Sequence, residues 1–163
     1  MADIAVERSH LSVDWSAAIK AGLIAGLVFL ILEMLMVPMF LGGSPWGPPR
    51  MIGAIALGRD VLPPPGTFDF GVVTVAMIIH FVLSVIFAVI LAPLVGRMGM
   101  GAALAIGALF GLGLYLVNFY GLTAVFPWFA MARNWVSIFS HIVFGILAAW
   151  AYKAFATRRA LAT

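Results

Sequence analysis

The chain has 163 residues, of which 64% are hydrophobic and only 9% are charged, and its formal net charge is +3. Because a soluble domain carries about a quarter of charged residues, this composition excludes a soluble fold and predicts an integral membrane protein with a single domain over residues 1–163. The absence of a basic cluster argues against a nucleic-acid partner, and the absence of cysteine excludes disulfides and thiolate sites.

Four apolar stretches predict transmembrane helices, because each is long enough to cross about 30 Å of hydrocarbon. The predicted spans cover about residues 17–41, 70–92, 101–126 and 134–153. Asp69 and Asn134 precede the second and fourth spans and are suited to cap them, and Pro93 is expected to end the second span. The sequence therefore predicts an all-α four-helix bundle that has the lipid bilayer as its partner.

Residues 42–69 form a long outer loop between the first two spans that is rich in proline and glycine. Within it, PPRMIGAIALG predicts a short helix, since proline favours the first turn and glycine follows a helix end. The segment is too short to span, so we expect an interfacial or re-entrant helix. Loops of this length in compact proteins are usually functional or form a docking surface.

The basic residues are distributed unequally between the two ends of the spans. Those on the side of the termini are Arg8, Lys20, Arg97, Lys153, Arg158 and Arg159. Those on the other side are Arg50, Arg59 and Arg133. Because Lys and Arg are enriched in cytoplasmic loops, this asymmetry predicts that both termini are cytoplasmic and that the loop of residues 42–69 lies outside.

The two halves of the chain match each other. At one constant offset the first span aligns with the third, pairing Gly22 with Gly107, Gly26 with Gly111 and Glu33 with Asn118. At a second offset the second span aligns with the fourth, pairing His80 with His141. Each half has an even number of spans, so the sequence predicts two parallel helix-pair repeats about an axis along the membrane normal.

Four polar residues interrupt the apolar spans: Glu33, His80, Asn118 and His141. At 1.5 Å per helical residue, all four are expected within roughly 10–15 Å of the outer surface, as one layer. A charged group in hydrocarbon costs at least ~2.5–3.5 kcal/mol, so an intramembrane acid is a candidate functional residue that needs a partner. Each histidine stands in a row of small residues, which is typical of a face turned towards neighbouring helices.

The first hypothesis for this layer is structural. A protonated Glu33 would hydrogen-bond to a histidine or to Asn118 and hold the bundle together. The protein would then be an accessory subunit of a larger membrane complex, with other membrane proteins as partners.

The second hypothesis is a cofactor. Two histidines at one depth on diagonal helices suit a bis-histidine haem b, with Glu33 and Asn118 beside it and Arg50 or Arg133 meeting its propionates. A metal ion is the alternative, held by His80, His141 and Glu33, since imidazole and carboxylate suit several divalent ions. Met77, one turn before His80, adds a thioether that favours copper(I), although methionine is also a common filler of apolar cores.

The third hypothesis is a proton or solute pathway, because Glu/His chains recur in transporters. A four-helix monomer is small for alternating access, so this hypothesis requires a homo-oligomer, with the glycine-rich first and third spans at its interface. No hydrolase or transferase motif is visible in the sequence, so an enzyme is not expected.

Glu33 followed by Val37-Pro38, and then Pro48-Pro49-Arg50 before the short helix, resembles the YagU-like group of small bacterial inner-membrane proteins. The resemblance covers about the first half of the chain. It implies a bacterial inner-membrane protein with about four spans and carries no expectation about a ligand.

Overall fold

The computed structural model describes residues 13–62, 64 and 66–160, with side chains described up to residue 156. Arg8 and the side chains of Arg158 and Arg159, which entered the prediction of orientation, lie outside this part of the chain. The helices are α1 (Trp15–Leu41), α2 (Gly47–Leu57), α3 (Phe70–Val95), α4 (Met100–Leu116) and α5 (Trp135–Ala160).

Four helical stretches are long and apolar enough to cross a membrane: α1, α3, Met100–Ala124 and the Trp135–Ala156 part of α5. The described residues contain no strand. The predicted all-α four-helix bundle is therefore confirmed. The termini of the bundle and the α3–α4 turn lie at one end, called here the terminal end, and the two long loops lie at the other, called the loop end.

Polar side chains fix where the spans begin. Asp14, Asp69 and Asn134 each accept a hydrogen bond from the backbone N–H three residues ahead, at 3.0, 2.9 and 3.0 Å. These bonds satisfy N–H groups that have no partner inside the helix. At its other end α1 stops at Gly42, whose φ of 66° is easily reached only without a side chain. The predicted caps at Asp69 and Asn134 are confirmed.

Three helix ends differ from the prediction. α5 continues to Ala160, beyond the end predicted at about residue 153. α3 continues through Pro93 to Val95, since proline removes only one N–H donor and membrane helices tolerate that loss. The third span is α-helical only to Leu116 and then changes to a π turn over Val117–Gly121 and a 3-10 turn over Leu122–Ala124. Asn118 therefore lies in a π turn, which shifts its direction relative to a regular helix.

Glycines bring the helix backbones together in two places. A Cβ atom at Gly22 would lie 2.7 Å from Val85 Cα, and one at Gly26 would lie 2.5 Å from Ser84 Oγ, so α1 packs tightly on α3. Gly107 and Gly111 pack in the same way on α5. The glycine faces of the first and third spans, which were predicted to form an interface between copies, therefore contact other helices of the same chain. Small residues favour such contacts because they let two helix backbones approach closely.

The four spans are packed unevenly. α1 contacts both α3 and α5, and α4 contacts α5 extensively, whereas α3 and α4 contact each other little. Near the terminal end the core consists largely of alanine and larger side chains such as Leu91, Val95 and Tyr152. Because α3 and α4 are joined by a short turn at that end, the small contact between them means that they separate towards the loop end.

Two segments cover the loop end of the bundle, and we call them the loop cap: α2 and the 3-10 segment Pro127–Ala132. Trp128 Nε1 donates a hydrogen bond to Met51 O at 3.1 Å and joins the two segments. Ala54, Trp128 and Phe129 form a buried cluster between them. α2 has Pro48 and Pro49 in its first turn and ends at Gly58, whose φ is 84°, so the short helix predicted from PPRMIGAIALG is confirmed.

Candidate functional site

A cavity of about 520 Å³ lies between the spans beneath the loop cap. Most of its lining is apolar, with phenylalanine, leucine and isoleucine side chains from every span and from α2. Glu33, His80, Asn118 and His141 all line it. The structure thus brings the four residues of the predicted polar layer to one cavity.

Glu33 contributes the carboxyl group of this cavity from α1. The residue is only 5% exposed, and its Oε1 atom has no hydrogen-bond partner among the described residues. The hydroxyl groups of Ser137 and Ser140 on α5 lie beside the carboxyl group, and Ser140 Oγ also has no partner. The hydrogen bond predicted from Glu33 to a histidine or Asn118 is not formed, because those side chains bond elsewhere.

His141 is held by bonds at both ring nitrogens. Its Nδ1 lies 2.7 Å from Ser137 O, and since a carbonyl oxygen only accepts, Nδ1 donates. Nε2 then accepts from Asn118 Nδ2 at 3.3 Å. The π turn that carries Asn118 directs the amide to α5, so the partner of Asn118 is the histidine rather than Glu33.

The His80 side chain extends from α3 towards α1. Its Nε2 donates a hydrogen bond to Gly26 O at 2.8 Å, and the close packing at Gly26 lets the imidazole reach the backbone. The Phe29 ring contacts both imidazoles, stacked on His80 at 5.6 Å and edge-on to His141 at 4.9 Å between ring centroids. Sequence reasoning missed Phe29, although its position four residues before Glu33 places both on one helix face.

Three residues of the predicted site lie away from the cavity. Arg50 donates to Thr67 O at 2.9 Å and to Val61 O at 2.7 Å, and so ties the outer loop together. Arg133 donates to Phe119 O at 2.7 Å and stacks over a tyrosine ring. Neither arginine nor Met77 is among the lining residues. The two cations stabilise loops instead of facing a ligand.

The hydrogen bonds do not favour a haem or a metal ion. Bis-histidine ligation of a haem iron needs a free imidazole nitrogen on each histidine, whereas both ring nitrogens of His141 are engaged in hydrogen bonds. No group of three or more His, Cys, Asp or Glu side chains in the described part of the chain is placed to hold a metal ion. The haem and metal hypotheses therefore stay predictions of the sequence, without support from this geometry.

The fold and the cavity define the class of protein: a multi-pass membrane protein with four apolar spans around a largely apolar cavity. Comparisons of the chain with protein-family models, with curated proteins and with solved structures found no match.

Proposed function

We propose that this protein binds a lipophilic small molecule within the membrane, in the cavity beneath the loop cap. The observation that carries the proposal is the combination of an apolar lining with one buried carboxyl oxygen, Glu33 Oε1, that has no partner among the described residues. Ligand sites are typically concave, mostly apolar and about 300–1,000 Å³ in volume, with a few polar groups that orient the ligand. The cavity of about 520 Å³ has these properties.

The ligand would reach the cavity from the bilayer, between α3 and α4. Ile79 and Leu83 of α3 line the cavity on one side, and Leu114 and Asn118 line it on the other. These two helices contact each other little. A lateral route of this kind suits a molecule that is already dissolved in lipid, since it need not cross water.

The test is saturable binding of the neutral fluorophore N-phenyl-1-naphthylamine to the protein in lipid nanodiscs, measured against empty nanodiscs. Leu83→Trp places a large ring in the cavity and is expected to weaken binding of the probe about tenfold, because the indole occupies part of the space that the probe would take. Val82→Trp is the matched control, because Val82 is 53% exposed on the outside of the same helix.

Equal loss of binding in both variants, or no saturable binding by the unmodified protein, contradicts the proposal. The second outcome would favour an accessory-subunit role, in which the polar side chains serve helix packing. A partner complex that is lost on deletion of residues 42–69 would then be the observation to seek.

We also propose that the protein resides in a bacterial inner membrane with both termini in the cytoplasm. The excess of Lys and Arg at the terminal end supports this orientation, and the resemblance to the YagU-like group supports the membrane. A fluorescent protein fused after residue 163 is expected to fluoresce, and alkaline phosphatase fused there is expected to be inactive. Active phosphatase at this position would contradict the orientation.

A further inference from the structure

We propose that the occupant of the cavity is a lipophilic organic cation, with the Glu33 carboxylate as its countercharge. This inference rests on the proposed function and names the ligand class. It follows from the charge of the lining, from the hydrogen-bonding groups that remain free and from the aromatic rings around them.

The charge of the lining has one sign. Glu33 is 5% exposed and belongs to the lining, and the lining residues that the structure describes include no lysine or arginine. The nearby cations Arg50 and Arg133 donate to loop carbonyl groups instead. A buried carboxylate without a paired charge is costly, so an occupant that brings a positive charge removes that cost.

Several polar groups around the cavity are free to accept a hydrogen bond. His80 and His141 each use an N–H to donate to a backbone carbonyl. Glu33 Oε1 has no partner among the described residues, and the second ring nitrogen of His80 and the Asn118 amide oxygen are further acceptors. The hydroxyl groups beside Glu33 can accept as well as donate, so the charge of the carboxylate decides the ligand class: it attracts a cation and repels a lipid phosphate or a fatty-acid carboxylate.

Aromatic rings belong to the same cavity lining as Glu33. Phe29, Phe119, Phe126 and Phe129 all line the cavity. The faces of such rings attract cations, most strongly where water is excluded. A single acid among phenylalanines therefore suits a delocalised or alkylated cation better than a small hydrated one.

The probe for the test is tritiated tetraphenylphosphonium, bound to the purified protein in nanodiscs. The unmodified protein is expected to bind it saturably, and Glu33→Gln to bind it at least about tenfold more weakly, the fold-change expected for loss of a desolvated charge contact. Asp60→Asn is the matched control, because Asp60 is an exposed acid of the outer loop. Unlabelled dodecylamine should displace the probe at concentrations about tenfold below those of dodecanol, which has the same chain.

The neutral naphthylamine probe separates the two proposals. If Glu33→Gln still binds this neutral probe but loses tetraphenylphosphonium, the variant is folded and both proposals are supported. If the neutral probe binds while Glu33→Gln keeps full affinity for tetraphenylphosphonium, or dodecanol competes as well as dodecylamine, the cation inference is overturned and the proposed function stands. If the unmodified protein binds neither probe, both fail.

Discussion

Asn118 and His141 form a side-chain hydrogen bond between the third and fourth spans, beside the cavity. Asn118 Nδ2 donates to His141 Nε2, while Nδ1 of the same ring is fixed on Ser137 O. Without Asn118, the Nε2 atom of His141 loses its hydrogen-bond donor, and because His141 is only 5% exposed, the atom stays buried without a partner. Hydrogen bonds between membrane helices contribute modestly, because the unfolded chain in the membrane also finds partners.

Asn118→Leu is accordingly expected to lower the free energy of unfolding by about 0.5–2 kcal/mol. The measurement is unfolding in mixed micelles with increasing sodium dodecyl sulfate. A double-mutant cycle with His141→Phe isolates the pair. Fully additive effects of the two substitutions would show that the contact carries no coupling.

The depth of the polar residues along their helices could be predicted from the sequence, but the direction in which their side chains point could not. Counting residues from the predicted helix ends placed Glu33, His80, Asn118 and His141 in one layer, and all four do line one cavity. Their partners depend on rotations of a few tens of degrees, which the π turn at Asn118 changes without any mark in the sequence. The serines beside Glu33 were also missed, because a hydroxyl group in an apolar helix is inexpensive and thus a weak signal.

Among the helices, the contact between α4 and α5 depends on Gly107 and Gly111 of α4 and on Gly145 of α5, which let the two backbones approach each other. A Cβ atom at Gly111 would collide with His141 O, which is a backbone atom and cannot move aside alone. Gly113, two residues later, has nothing within 4 Å of such a Cβ atom. The same helix therefore contains a position that tests the contact and a position that controls for helix propensity.

Gly111→Ala is expected to destabilise the bundle by about 1–3 kcal/mol, because the added methyl group forces the two backbones apart. Gly113→Ala is expected to be neutral or slightly stabilising, since alanine favours a helix more than glycine does. Thermal unfolding in detergent, followed by circular dichroism, compares the two. Equal melting temperatures would contradict the close packing of α4 on α5.

The loop cap depends on the hydrogen bond from Trp128 to Met51 O. Trp128→Phe keeps an aromatic ring in the cluster but removes the donor, so amide hydrogen exchange in α2 is expected to become several-fold faster, in line with a loss of about 0.5–1.5 kcal/mol. Trp135→Phe is the control, because Trp135 is 50% exposed at the start of α5. Unchanged exchange in α2 on loss of the indole would show that the loop cap is held by other contacts.

Across the whole molecule, the bundle is closed at the terminal end and widens towards the loop end. The number and order of the spans were predictable, because long apolar stretches and polar caps are local features of the sequence. The small contact between α3 and α4 was not, since contacts between helices are set by the packing of the whole bundle and not by local features of the sequence.

The internal repeat stays a prediction, and the glycine contacts agree with it. Gly22 and Gly26 approach Ser84 on α3, and Gly107 approaches Gly145 on α5. Ser84 and Gly145 are equivalent under the proposed alignment of the second and fourth spans. In this arrangement the two halves place His80 and His141 at corresponding positions of one cavity.

Binding of a cation in the cavity is tested most directly by the position of a heavy-atom cation in crystals of the protein grown with tetraphenylarsonium. The arsenic atom gives an anomalous signal that locates the ligand without ambiguity. We expect an arsenic peak inside the cavity, next to the Glu33 carboxyl group and among the phenylalanine rings. Arsenic found only on the lipid-facing surface, with the cavity free of it at saturating concentration, would contradict cation binding at Glu33.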